Sequence, residues 1–171
     1  MTAAGARGRW TGRRHCHAGT SVRIWIRLPP LTAGLRRLAA FTELLRATLG
    51  SDATISTADV GTFVAVSVEP RRTDALEVGW LQSDDQVVLS AGSGGRWELE
   101  PTAQDVQYLE DIVRAVVAGR VTEVRGRHRS RVEVTLADGM VDVSTVYDGF
   151  PVLLPHRGWS RLTPRVYAPY Q

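Results

Sequence analysis

The chain of 171 residues has no lysine, no asparagine and one cysteine, Cys16. A single cysteine forms no internal disulfide and supplies neither a redox pair nor a cysteine-based zinc site. Without lysine there is no phosphate-binding GxxxxGK[ST] loop. All 21 positive side chains are therefore arginine. That is the usage of GC-rich coding, so arginine abundance alone carries no argument for phosphate recognition. No stretch approaches the ~20 apolar residues of a membrane span. Arg13-Arg14 hints at a twin-arginine export signal, but Arg23, Arg27, Arg36 and Arg37 break up the apolar region such a signal needs. A cytoplasmic location is expected.

The charge is unevenly placed. Residues 1–30 carry six arginines and no acid, a net of +6, whereas residues 31–171 are net −3. Residues 1–21 show no periodicity and read as a disordered basic arm, expected to be solvated, with nucleic-acid binding as the sharper alternative, or to precede a true start near Val22. His15 and His17 flank Cys16, too few ligands for a structural metal site, so no metal or cofactor is expected. Residues 22–171 read as one domain, a usual size for such a length.

Within the domain, Val22, Ile24, Ile26 and Leu28 alternate with polar or bulky residues, a strand period closed by Pro29-Pro30. Leu31, Leu35, Leu38, Phe41, Leu45 and Leu49 then recur at helical spacing, with Thr32 as N-cap and Gly50 as stop. Residues 51–58 read as a loop or ragged strand. Short strands follow at 62–68, 76–81, 87–89 and 96–100. A turn at Asp84-Asp85 predicts Trp80 opposite Leu89 and Leu81 opposite Val88. A second helix is expected over 102–118, capped by Thr102 and ended by Gly119. Its apolar stripe is Val106, Leu109, Ile112, Val113, Val116 and Val117, and its outer face includes Asp105, Glu110, Asp111 and Arg114.

A strand over 120–125 leads through a basic loop into the strongest local signal, Asp138-Gly139. Read as a two-residue type I′ turn, it sets Leu136 against Val141, Val134 against Val143 and Val132 against Thr145. The tail from 148 has Pro151, Pro155, Pro164 and Pro169, which forbid a regular helix or central strand, and aromatics expected to pack on the sheet. The elements together predict an α+β fold: a largely antiparallel sheet of about five to seven strands, with the two main helices on one face.

Chemistry is sparse. No GxGxxG opens a helix after a strand, and neither HExxH nor GxSxG occurs. His128 reads as a solvated loop histidine, and Glu98 with Glu100 as a solvated strand face. A catalytic role is not expected. Three binding readings remain. The first is a non-enzymatic protein-interaction protein whose candidate contacts are Arg125, Arg127, Arg129 and Arg131, together with His156, Arg157, Trp159 and Arg161. Trp159 between arginines has the composition of an interface hot spot. The second is a small-ligand or enzyme pocket near Trp97, Asp148 and His156. The third is nucleic-acid binding through Arg125 to Arg131; the acidic body and the lack of a visible aromatic platform weigh against it.

The segments Gly95-Arg96-Trp97-Glu98-Leu99-Glu100, Ala118-Gly119-Arg120-Val121, Leu136-Ala137-Asp138-Gly139, Gly158-Trp159 and Ala168-Pro169-Tyr170 resemble uncharacterised small α+β proteins of GC-rich actinomycetes. The resemblance covers under half of the chain and implies no activity. By size and class alone the chain is similar to immunity proteins, which neutralise a toxin encoded beside them; this implies an unknown protein partner.

Overall fold

A computed structural model describes residues 32–147 and 162–171. The expected strand at 22–28 and the basic arm lie outside these residues. So do Asp148, His156, Arg157, Trp159 and Arg161.

The first helix, α1 (Ala33–Leu49), begins where expected: the Thr32 hydroxyl accepts the Leu35 N–H at 3.2 Å. Gly50 ends it at φ 50°, a conformation that glycine adopts without strain. Five strands follow: β1 (Ala53–Val60), β2 (Phe63–Pro70), β3 (Val78–Gln82), β4 (Val87–Ala91) and β5 (Gly95–Leu99). They form an antiparallel meander in chain order. Residues 53–60 form a regular strand, where the small polar run at 51–58 reads as a loop or a ragged strand. They pair with β2 along their whole length, so pairing outweighs local propensity there. Trp80 stands opposite Leu89 and Leu81 opposite Val88, the predicted register.

The second helix, α2 (Ala103–Val117), is capped by the Thr102 hydroxyl, which accepts the Asp105 N–H at 3.1 Å. Asp105 does not complete a capping box; its carboxylate accepts the Glu100 N–H instead. The apolar stripe is buried as expected, apart from the partly buried Val117. Glu110, expected on the outer face, is buried. It is held there by Arg37 of α1 and Arg114 of α2.

A second antiparallel sheet follows, in the order β8-β7-β6-β9. Its strands are β6 (Val121–Arg125), β7 (Arg129–Thr135), β8 (Val141–Tyr147) and β9 (Pro164–Val166). The fold class is thus α+β and antiparallel. The strands divide between two sheets, where a single sheet of five to seven was expected. One apolar core joins both sheets to both helices. Phe41 of α1 packs on Trp80 of β3, while α2 packs on α1 and on β7. Tyr167 and Tyr170 of the tail are buried in the same core, as expected of the tail aromatics. The Tyr170 hydroxyl donates to the Leu76 carbonyl at 2.6 Å.

The β7–β8 hairpin corrects the type I′ reading. Type I′ needs φ above zero at both central residues. Asp138 has a negative φ and only Gly139 is left-handed, at 87°. The loop spans Ala137–Gly139: the Gly139 N–H bonds to the Leu136 carbonyl at 3.1 Å, and the Leu136 N–H to the Met140 carbonyl at 2.8 Å. This is the three-residue hairpin loop in which a glycine bulge follows an ordinary turn. The extra residue slips the register by one. Val134 faces Asp142, Glu133 faces Val143 and Val132 faces Ser144. Val132, Val134 and Leu136 are buried as expected, but Val141 and Val143 are exposed at 56% and 41%. A slip of one residue exchanges the two faces of a strand.

Candidate functional site

Two features of the second sheet come out of this register. The first is its outer face. Side chains opposite each other in an antiparallel pair point the same way. Thr122 and Val124 of β6, Arg131 and Glu133 of β7, Val141, Val143 and Tyr147 of β8, and Val166 of β9 therefore share that face. Tyr147 and Val166 are exposed at 60% and 72%. Arg131 and Glu133 form an ion pair at 2.8 Å in the middle of this apolar surface.

The basic loop closes the β6–β7 hairpin. The Gly126 N–H donates to the Arg129 carbonyl at 2.8 Å, so Arg127 and His128 form its exposed tip. Four alternating arginines do not make one track here. Arg125 stands opposite the buried Ser130, on the inner side, and lines a cleft. Arg129 and Arg131 lie on the outer side, opposite Tyr147 and Thr145. Arg127 projects from the tip.

The second feature is that cleft, of about 510 Å³. One wall is β6 with the β9 segment. The other is the end of β2 with residues 72–77 and the Gly92-Ser93 turn. At its floor lies Glu123, exposed by only 6%. Its carboxylate accepts the Ser93 N–H at 3.2 Å, the Ser93 hydroxyl, and the Tyr167 hydroxyl at 2.6 Å. Burial alone pushes the Glu123 carboxyl up. The bonds from Ser93 and Tyr167, with the charge of Arg125, outweigh burial and hold it below the ordinary value. Burial and the Glu123 carboxylate push the Tyr167 hydroxyl up to about 12. A carboxylate held ionised and bonded by three donors suits fixed electrostatic structure better than proton transfer, which needs a pKa near working pH.

Trp97 lies elsewhere, with its indole N–H on Asp142 at 2.7 Å. Its expected pocket partners, Asp148 and His156, lie outside the described residues. Glu98 pairs with Arg96 at 3.0 Å. Among the described residues no group of three metal-ligating side chains occurs, and no helix is long and apolar enough to cross a membrane.

Sequence reading missed Glu123, Ser93, Tyr167 and Arg165 in the cleft, and Val141, Val143 and Tyr147 on the outer face. Glu123 left a signal: it shares strand parity with Val121, so an acid stands at a core-facing position. The outer-face valines left none, because the wrong turn type sent them inward. Compared with known protein families, curated proteins and solved structures, the chain gives no significant match.

Proposed function

We propose that the chain is a non-enzymatic protein-binding module, regulatory or immunity-like in class, that engages its partner through the outer face of the second sheet and the Arg127 tip. One observation carries the reading: Val141, Val143 and Tyr147 stand exposed in a row on β8, beside a basic hairpin. Grouped apolar side chains rimmed by charge characterise interaction surfaces. Tyrosine and arginine are the side chains that most often dominate interface energetics.

The charge pattern supports a partner of complementary character. Arg127 is exposed with no ion-pair partner among the described residues, whereas Arg131 is neutralised by Glu133. The complementary surface is apolar at its centre and acidic where it meets the tip. The same division of arginines disfavours nucleic acid, which rewards a continuous run of cations along its phosphates. His156, Arg157, Trp159 and Arg161 remain sequence-level candidates for a second contact.

The test begins with affinity capture by the full chain and purification of the captured protein. Its affinity is then measured for wild type, for Val141→Asp with Val143→Asp, for Arg127→Ala and for Trp159→Ala. Loss of at least about tenfold is expected in the valine pair, the scale on which one interface anchor acts. Undiminished affinity in a folded valine-pair variant overturns the placement. Binding that is carried by nucleic acid and falls steeply with salt overturns the reading as a whole.

A further inference from the structure

We propose that the cleft over Glu123 binds a zwitterionic small molecule of the amino-acid or short-peptide class, its carboxylate on Arg125 and Arg165 and its ammonium on Glu69 and Glu77. This site is distinct from the outer face and does not depend on the protein-binding reading.

The argument rests on which charges in the cleft are already used. Arg72 is committed to Asp74 through two bonds, at 3.0 and 2.9 Å. Glu123 is committed to Ser93 and Tyr167. Arg125 and Arg165 have no ion-pair partner among the described residues, and neither do Glu69 and Glu77. Arg165 stands opposite Glu123, and Arg125 lies two residues beyond Glu123 on the same face. Two unpaired guanidiniums therefore flank one buried carboxylate on the β6–β9 wall. The two unpaired carboxylates line the other wall.

A bare anion in this cleft would meet Glu69 and Glu77; a bare cation would meet the arginines. A ligand carrying both charges satisfies both walls at once. Arg165 is already oriented: its guanidinium lies 4.6 Å from the Tyr167 ring centroid and reaches the Thr73 carbonyl at 3.5 Å. Pre-oriented groups lose less freedom on binding. The Tyr167 ring is fixed in turn by its bond to Glu123. This gives the buried carboxylate a role in positioning the site. The volume falls in the range of about 300–1,000 Å³ common for small-molecule sites.

The experiment is a titration of the full-length chain, followed by amide NMR, with alanine, dialanine and trialanine. N-acetyl-trialanine and trialanine amide are the blocked probes. Saturable shifts at Ser93 and Tyr167 are expected for at least one of the free forms. Blocking either end should weaken binding about tenfold, the effect of losing one charge-assisted bond. Arg125→Gln with Arg165→Gln should abolish the preference for a free carboxylate while keeping that for a free ammonium. Glu69→Gln with Glu77→Gln should do the reverse. A misfolded variant would lose both preferences together, so the split also reports on folding. No saturable shift with any free form, or equal binding of free and blocked trialanine, overturns the proposal.

Discussion

Asp142 on β8 accepts the indole N–H of Trp97 on β5 at 2.7 Å. The same carboxylate oxygen accepts the Tyr108 hydroxyl of α2. One oxygen thus joins the last strand of the first sheet, the edge strand of the second and a helix. Burial, then the bond to Asp142, pushes the Tyr108 hydroxyl well above its ordinary value. Asp142→Ala leaves the buried Trp97 and the partly buried Tyr108 without an acceptor, at roughly 1–3 kcal/mol each. The expected loss is about 2–4 kcal/mol, since the two donors share one acceptor. Asp142→Asn, which keeps a carbonyl oxygen, should lose about half as much. Urea unfolding followed by tryptophan fluorescence measures both. A loss below about 0.5 kcal/mol in Asp142→Ala would show that the carboxylate is no joint.

Glu110 makes a second joint, between the helices. It accepts from Arg37 at 2.7 and 3.2 Å and from Arg114 at 2.8 Å. Burial pushes its carboxyl up, but the bonds from both guanidiniums outweigh burial and leave it below the ordinary 4.5. A carboxylate with a depressed folded pKa contributes stability above its unfolded value and loses it as pH falls through the folded value. Glu110→Gln should therefore be less stable than wild type at pH 7, by about 1–2 kcal/mol given partly exposed guanidiniums. The difference should close as pH drops below 4.5. Denaturant midpoints at pH 7, 5, 4 and 3 check this; a difference that does not vary with pH would rule out the ion pairs as its source.

These two joints mark where the sequence stopped being readable. Both helices, their threonine caps and the Trp80–Leu89 pairing follow from local periodicity and turn chemistry, which act over a few residues. The Arg37–Glu110 pair was hidden because it joins residues 73 apart in sequence. Glu110 looks like one more exposed helix acid until α1 is placed beside it. The cleft was hidden for the same reason: Ser93, Glu123 and Tyr167 come from three separate segments. The arginines were visible as a cluster, but which side of the sheet each takes depends on register.

Tyr167 offers a spectroscopic reading of the cleft floor. Its hydroxyl bonds to Glu123 at 2.6 Å and is pushed up to about 12 by burial first and by that carboxylate second. A tyrosine that ionises later in the folded state keeps its contribution to stability below the ordinary 10 and loses it as pH rises through the folded value. Glu123→Gln removes the negative charge, so Tyr167 should ionise at lower pH. Ultraviolet difference titration, with Tyr167→Phe as the reference, isolates the signal. An unshifted titration in Glu123→Gln would mean that the charge has no influence on the hydroxyl.

Gly34 sets two opposing effects against each other. It lies in the first turn of α1, where alanine is intrinsically preferred by up to about 1 kcal/mol. A Cβ there would fall on the backbone carbonyl of Pro101, just before α2. Overpacking against groups that cannot swing aside costs about 1–3 kcal/mol. Gly34→Ala should therefore lower the melting temperature despite the better helix former. A higher melting temperature would show that Pro101 yields to the added methyl.

The slipped register of β7 and β8 gives the sharpest comparison, because adjacent residues exchange roles. Ser144 is buried, and its hydroxyl both accepts the Arg96 N–H and donates to the Arg96 carbonyl, each at 2.9 Å. Val143 is exposed on the opposite face. Ser144→Ala removes partners from two backbone groups on β5 and should cost about 1–3 kcal/mol. Val143→Ser, on the outer face, should stay within about 0.5 kcal/mol of wild type. Under the register that a two-residue turn would impose, the order reverses: the serine would face water and the valine would lie in the core, where its loss would be the larger. Measuring both variants in one denaturant series decides between the registers, and with them which residues β8 offers to a partner.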